Sequence, residues 1–128
     1  MDDPADPEGI RLDAIHVAMA QLRGANRSIG DKPLVVLTAG LWGDPPPGVS
    51  PEENTQQGRI WQEMQAELPQ RISSNSTQIV AAKSHHYIQG ESPKLVVASV
   101  RQVVGAERSR GRVNGSALAP FASEVRAP

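Results

Sequence analysis

Two adjacent histidines follow a strand-like stretch in the second half of the chain. Residues 78–83 are mostly small or β-branched, and they lead directly into Ser84, His85 and His86. A strand that ends in a histidine places a titratable side chain at the rim of a sheet, where the ligands of open α/β sheets bind. The pattern therefore predicts a site at the carboxyl end of this strand. The alternative is that His86 is a polar residue at a strand end with no chemical role.

An acidic residue follows a second candidate strand. Residues 33–39 form a short, continuous apolar run between Pro33 and Gly40, which is typical of a strand buried on both faces of a parallel sheet. The next segment, 41–48, is too rich in proline and glycine for a regular element, and it contains Asp44. Asp44 is a candidate for the same site, although aspartate before proline also serves as an ordinary turn residue.

Apolar residues at spacings of three and four predict helices over about 10–23, 51–68 and 93–104. Ser50 and Ser92 each precede a proline, which is the signature of an N-cap followed by a first-turn proline. Pro69 is expected to end or bend the second helix, and Gly105 to end the third. The order helix, strand, helix, strand, helix predicts an α/β fold with a parallel pair of strands joined by a crossover.

The second predicted helix carries an apolar stripe that should face the sheet. The stripe consists of Ile60, Trp61, Met64 and Leu68. It predicts that Trp61 is largely buried against the 33–39 strand.

The predicted domain covers 10–105. Residues 1–9 combine acids with proline and glycine and are expected to be mobile, and 106–128 are expected to form a disordered tail because no apolar periodicity continues there. Because two parallel strands cannot stand alone in water, we expect a homo-oligomer in which sheets join edge to edge or helices exchange between copies.

The composition limits the kinds of partner. The chain has 128 residues, a formal net charge of -1 and no cysteine. Its charge gives no attraction to nucleic acid or to an anionic membrane, and thiol chemistry is excluded. His16, His85 and His86 do not make a metal set, because adjacent histidines do not easily share an ion with a distant third ligand. We therefore expect a cytoplasmic protein with no metal, no cofactor, no nucleic-acid partner and no membrane partner.

The region 33–105 resembles the C-terminal portion of an α/β-hydrolase. The pieces that carry the resemblance are the strand 33–39, the Trp61-containing helix, the turn Ser84-His85-His86 after the strand 78–83, the piece Tyr87-Ile88-Gln89, the turn Glu91-Ser92-Pro93 and the helix after it. The resemblance implies a partial α/β-hydrolase sheet and a serine-type, esterase-like hydrolase acting on a small-molecule ester or related acyl bond. It further implies that His86 is the general base and Asp44 the acid that orients it.

The sequence departs from that family at the nucleophile. No Gly-x-Ser-x-Gly pentapeptide occurs in the chain, and Ser28, which precedes Asp44, lacks the glycine two residues before it. Ser84 is two residues from His86, and such side chains at a strand end usually diverge. His85 stands where the family has glycine, which could strain the turn. The alternative function is therefore a non-catalytic, truncated remnant or an oligomeric interaction module.

Overall fold

The computed structural model describes residues 12–24 and 28–122, so the expected mobility of 1–9 lies outside the described residues. The helices and strands in chain order are α1 (Leu12–Gly24), β1 (Leu34–Ala39), α2 (Pro51–Ile72), β2 (Ser76–Ala81), α3 (Ile88–Glu91), α4 (Pro93–Ser109) and α5 (Gly115–Leu118), followed by a 3-10 turn, Ala119–Phe121. The two strands pair in parallel, with Leu34 opposite Ser76 and Ala39 opposite Ala81. The predicted α/β class with a parallel pair is confirmed, and β2 begins two residues earlier than the sequence suggested.

Successive side chains of each strand point to opposite faces of the sheet. On one face, Leu37 and Ile79 pack against the buried core formed by Ala81, Leu95 and Leu118. That core ties the sheet to α4 and α5. The described helices include none with both the length and the apolar character needed to cross a bilayer.

The opposite face of the sheet is more polar and is covered by α2. Thr38 is buried on this face, and its hydroxyl accepts a hydrogen bond of 2.8 Å from the side-chain amide of Gln78. The helix α2 contacts both strands, and the Gln62 side chain donates to the backbone oxygen of Ala39 at 2.7 Å. A side-chain amide therefore joins this helix to the sheet.

The N-terminus of α2 is capped as predicted. The Ser50 hydroxyl accepts from the Glu53 backbone amide, and the Glu53 carboxylate accepts from the Ser50 amide, at 3.2 and 3.0 Å. This reciprocal capping box satisfies two backbone donors that the helix leaves unpaired. The Glu53 carboxylate therefore has a structural role at the start of the helix.

The C-terminus of α2 lies beyond the position predicted for it. The helix runs through Pro69 to Ile72, so the prediction that it ends at 68 is wrong. Its last turn is held from outside: the backbone amide of Ile29 donates to the Ile72 oxygen at 2.8 Å, and the fully buried Ser73 donates its hydroxyl to the Lys32 oxygen. These tertiary hydrogen bonds stabilise the turn in which proline removes one internal bond.

The orientation of α2 also differs from the prediction. Trp61 is 41% exposed, so the expectation that it is largely buried against β1 is wrong. The positions that turn inward are Asn54, Gly58, Gln62, Gln65, Leu68, Pro69 and Ile72. Three of these side chains are amides, whereas the predicted stripe consists of apolar residues. Hydrogen bonding to the sheet and to the loop after β1 therefore sets the helix rotation.

The expected disordered tail from 106 onwards is wrong for 106–122. Helix α4 passes through Gly105 and ends at Ser109, and Leu118 is 1% exposed. The buried Asn75 anchors the segment between α4 and α5: its amide donates to the Gly111 oxygen, and its oxygen accepts from the Val113 amide, both at 3.0 Å. A hydrogen-bonded anchor leaves no periodic pattern, which is why the sequence did not show it.

We predict that Asn75→Ala releases the segment after α4. The change removes both bonds to the segment and should lower the free energy of unfolding by about 1–3 kcal/mol, as expected when buried hydrogen-bonding groups lose their partner. Trypsin should then cut next to Arg112 at least several-fold faster than in the parent, as followed by mass spectrometry. Ser116→Ala changes an exposed residue of the same segment and serves as the control. Equal cleavage rates in all three proteins would show that Asn75 does not hold the segment.

Candidate active site

The loops that follow β1 and β2 leave the sheet side by side. The Gly40 amide donates to the Ala81 oxygen at 2.9 Å, and the Leu41 amide donates to the Ser84 oxygen at 3.0 Å. A Cβ atom on Gly40 would lie 2.7 Å from both the Ala81 oxygen and the Ala82 Cα, which is too close for any residue but glycine. The close approach therefore extends the strand pairing into the two loops.

A pocket of about 720 Å³ lies between these loops and α2. Its volume is in the range of small-molecule sites. The residues that matter for its chemistry are Trp42, Asp44, Trp61, His85 and His86. Both candidates from the sequence, His86 and Asp44, thus line one pocket at the carboxyl end of the strands.

The side chains of His86 and Asp44 do not form a hydrogen bond with each other. The His86 ring is exposed and meets Tyr87 edge-on, with ring centroids 5.3 Å apart and an interplanar angle of 78°. Within the described part of the chain, neither the imidazole nor the Asp44 carboxylate makes a side-chain hydrogen bond. Both residues are exposed to solvent. Their hydrogen bond, which a catalytic triad requires, would have to form when a ligand binds.

A different carboxylate contacts the neighbouring histidine. One oxygen of Glu91 accepts from the His85 backbone amide at 2.9 Å and lies 3.4 Å from Nδ1 of the His85 ring. Arg110 is the only non-glycine residue with positive φ among those described, so the strain expected at His85 does not occur. The Glu91 contact fixes the start of the loop that presents His86, and the sequence did not reveal it.

The serine next to the histidines is unavailable as a nucleophile. Ser84 is completely buried, and its hydroxyl shares a hydrogen bond of 2.6 Å with that of the buried Ser92. This bond also explains why Ser92 makes no side-chain cap on α4, contrary to the prediction. Ser28 donates its hydroxyl to the Ile72 oxygen, at the far end of α2. No serine of the described residues lines the pocket.

An asparagine of α2 holds the loop that carries Asp44. The Trp42 indole nitrogen donates to Oδ1 of Asn54 at 3.0 Å, and Nδ2 of Asn54 donates to the Gly43 oxygen at 2.9 Å. The indole also lies on Gly58, where a Cβ atom would come within 2.9 Å of Trp42 Cγ. The rings of Trp42 and Trp61, with centroids 6.4 Å apart, form a wall of the pocket. No signal in the sequence indicated these hydrogen bonds, because the inward face of α2 was predicted from apolar residues and Asn54 is polar.

The described residues contain no group of three histidine, cysteine, aspartate or glutamate side chains placed to hold a metal ion. The pocket itself offers the imidazoles of His85 and His86, the carboxylate of Asp44 and the indole rings of Trp42 and Trp61.

We predict that Gly58→Ala displaces the Trp42 ring. A glycine-to-alanine change inside a helix usually stabilises by about 1 kcal/mol, and Gly105→Ala in α4, where a Cβ atom meets nothing within 4 Å, should show that gain. Gly58→Ala should lose it because the methyl group overlaps the indole. We expect a red shift of tryptophan emission and no increase in the urea midpoint. An increase equal to that of Gly105→Ala, with unchanged emission, would contradict the described packing.

Scans against protein-family models, curated proteins and solved structures gave no match. The α/β-hydrolase resemblance therefore rests on the residues of this chain alone.

Proposed function

We propose that this chain supplies the histidine and the carboxylate of an ester-hydrolysing site of the α/β-hydrolase type. The observation that carries the proposal is that His86 and Asp44, which are far apart in sequence, line the same pocket. The resemblance implies the same two residues, with His86 as general base and Asp44 as the acid that orients it. The substrate is a small ester whose apolar part lies against Trp42 and Trp61.

The reaction requires a nucleophile. No serine of the described residues lines the pocket, so the nucleophile is a different group. With water in that role, His86 takes a proton from the water while the oxygen bonds to the ester carbonyl carbon. The tetrahedral intermediate then expels the alcohol, which takes the proton back from His86, and the acid is released. Asp44 stabilises the imidazolium between these steps. With a serine hydroxyl from a second polypeptide in place of the water, the same proton transfers release the alcohol and leave an acyl-serine, which a water activated by His86 then hydrolyses to the acid and the free serine.

The expected rate is low. The family stabilises the developing oxyanion with backbone amides near its nucleophile, and loss of one such donor costs about 10²–10³-fold in rate. In this chain, the sequence lacks the pentapeptide that would position them. We therefore expect turnover of activated esters, such as short-chain aryl esters, and little turnover of unactivated ones.

A non-catalytic interaction module is the second candidate. The observation that favours it is the exposure of large apolar side chains on α2 and α4, including Met64 at 58% and Val100 at 57%. Such rows are typical of surfaces that contact another protein. The two candidates differ in whether the pocket turns over an ester.

The test is hydrolysis of a short-chain aryl ester by the purified protein. General base catalysis contributes about 10²–10⁴-fold, so His86→Ala should lose most of the rate above buffer, and Asp44→Asn should lose part of it. His16→Ala changes an exposed histidine on α1, away from the pocket lining, and should keep the parental rate. Equal rates for the parent and His86→Ala would rule out His86 as the base.

Binding is measured separately from turnover. The chain has two tryptophans, and both line the pocket, so intrinsic fluorescence reports occupancy. An aliphatic amide with the shape of the ester should change the emission saturably in the parent and in His86→Ala alike. Binding without turnover would leave the pocket as a ligand site and remove the catalytic proposal.

A further inference from the structure

The outward side of α4 carries a row of aliphatic residues next to a row of arginines. Val97, Val100 and Val104 are 50%, 57% and 41% exposed. Arg101 and Arg108 are exposed, and each follows a valine of this row, Val97 or Val104, by four residues, so both lie along one side of the valines. The face of α4 that turns inward has Leu95, Ser99 and Ala106 instead. We refer to the three valines and two arginines as the α4 surface.

The outward side of α2 has the complementary composition. Ile60 and Met64 are 46% and 58% exposed, and the exposed Glu63 and Glu67 lie along one side of them. We refer to these four residues as the α2 surface. Within the described chain, neither these glutamates nor the arginines of the α4 surface form an ion pair.

The two helices run in the same direction on opposite faces of the sheet. Helix α4 begins near the pocket end, and near its C-terminus Glu107 pairs with Lys32, just before β1, at 2.9 Å. Helix α2 also begins beside the loop after β1, and Ser73 at its C-terminus donates to the Lys32 oxygen. A second copy stacked on the first without rotation would therefore bring its α4 parallel to α2 of the first copy.

The sides on which the charges lie fit that stacking. Around the axis of α4, in the direction in which the chain winds, the arginines come after the valine row. Around the axis of α2, in the same direction, the glutamates come before the Ile60–Met64 row. Two parallel helices in contact bring opposite sides together, as e and g positions do in parallel coiled coils. Arg101 and Arg108 of one copy would thus face Glu63 and Glu67 of the next, beside the joined apolar rows.

We propose that copies of this chain associate by contact of the α4 surface of one copy with the α2 surface of the next. The contact joins two different surfaces, so it can repeat from copy to copy. Burial of the aliphatic rows provides the affinity, and the charges select the parallel register and exclude the antiparallel one. The net charge of -1 leaves little overall repulsion between copies. This proposal is independent of ester hydrolysis.

Reversal of the charges on each surface tests the proposal. We expect the parent to have a molar mass above 13.7 kDa by sedimentation or light scattering, rising with concentration. The double variants Glu63→Lys/Glu67→Lys and Arg101→Glu/Arg108→Glu should each fall to that monomer mass. An equimolar mixture of the two should recover association, because both of its interfaces pair opposite charges again. Lys83→Glu, an exposed charge change in the loop after β2, is the control and should associate like the parent.

Each other outcome overturns the proposal. A parent that stays monomeric across a tenfold range of concentration has no such contact. Double variants that associate like the parent point to a different interface, such as the pairing of sheet edges that the sequence predicted. Failure of the mixture to associate would show that the two surfaces do not meet each other. Circular dichroism checks that each variant folds. If a double variant loses helix content, Val100→Ser, which changes no charge, is used instead and should also give the monomer mass.

Discussion

The close approach of Gly40 to the end of β2 is the constraint on which the candidate site depends. At this point the backbones are so near that a side chain on residue 40 would overlap Ala81 and Ala82. Because the contact lies at the carboxyl ends of both strands, the loops beyond it begin next to each other. Asp44 in one loop and His86 in the other reach the same pocket for this reason.

Polar residues fix much of the remaining structure. The fully or nearly buried side chains include Thr38, Ser73, Asn75, Ser84 and Ser92, alongside a small apolar core around Leu95 and Leu118. No buried polar side-chain atom in the described residues lacks a hydrogen-bond partner. Satisfied polar networks of this kind specify one arrangement, since an unpaired buried group is costly. In this protein they set the rotation of α2, the position of the 111–113 segment and the loop that presents His86.

The same feature explains what the sequence could and could not predict. Apolar runs and helical spacing predicted both strands, their parallel pairing and the main helices, and Ser50 was identified as a cap from its local motif. The inward face of α2 was not predicted, because Asn54 and Gln62 face inward to hydrogen-bond while Trp61 remains partly exposed. The order of the chain beyond 106 depends on Asn75, which is distant in sequence and leaves no local signal.

The candidate site was predictable in part for a related reason. Strand ends predict which loops meet, so the placement of His86 and Asp44 at one pocket followed from the topology. Side-chain partners do not follow from topology: the carboxylate of Glu91 contacts His85, and the hydroxyl of Ser84 bonds to Ser92. His86 and Asp44 therefore face a pocket where a ligand can reach them, whereas the hydroxyl of Ser84 is buried in a hydrogen bond within the fold.

Hydrogen exchange of the Leu41 backbone amide tests the joining of the two loops most directly. This amide belongs to a residue beyond the end of β1, and it donates to the Ser84 oxygen at 3.0 Å. We predict that it exchanges as slowly as the amides between β1 and β2, because it can open only when the loops separate. Exchange as fast as in an unstructured peptide, while the strand amides remain protected, would contradict a shared pocket for His86 and Asp44.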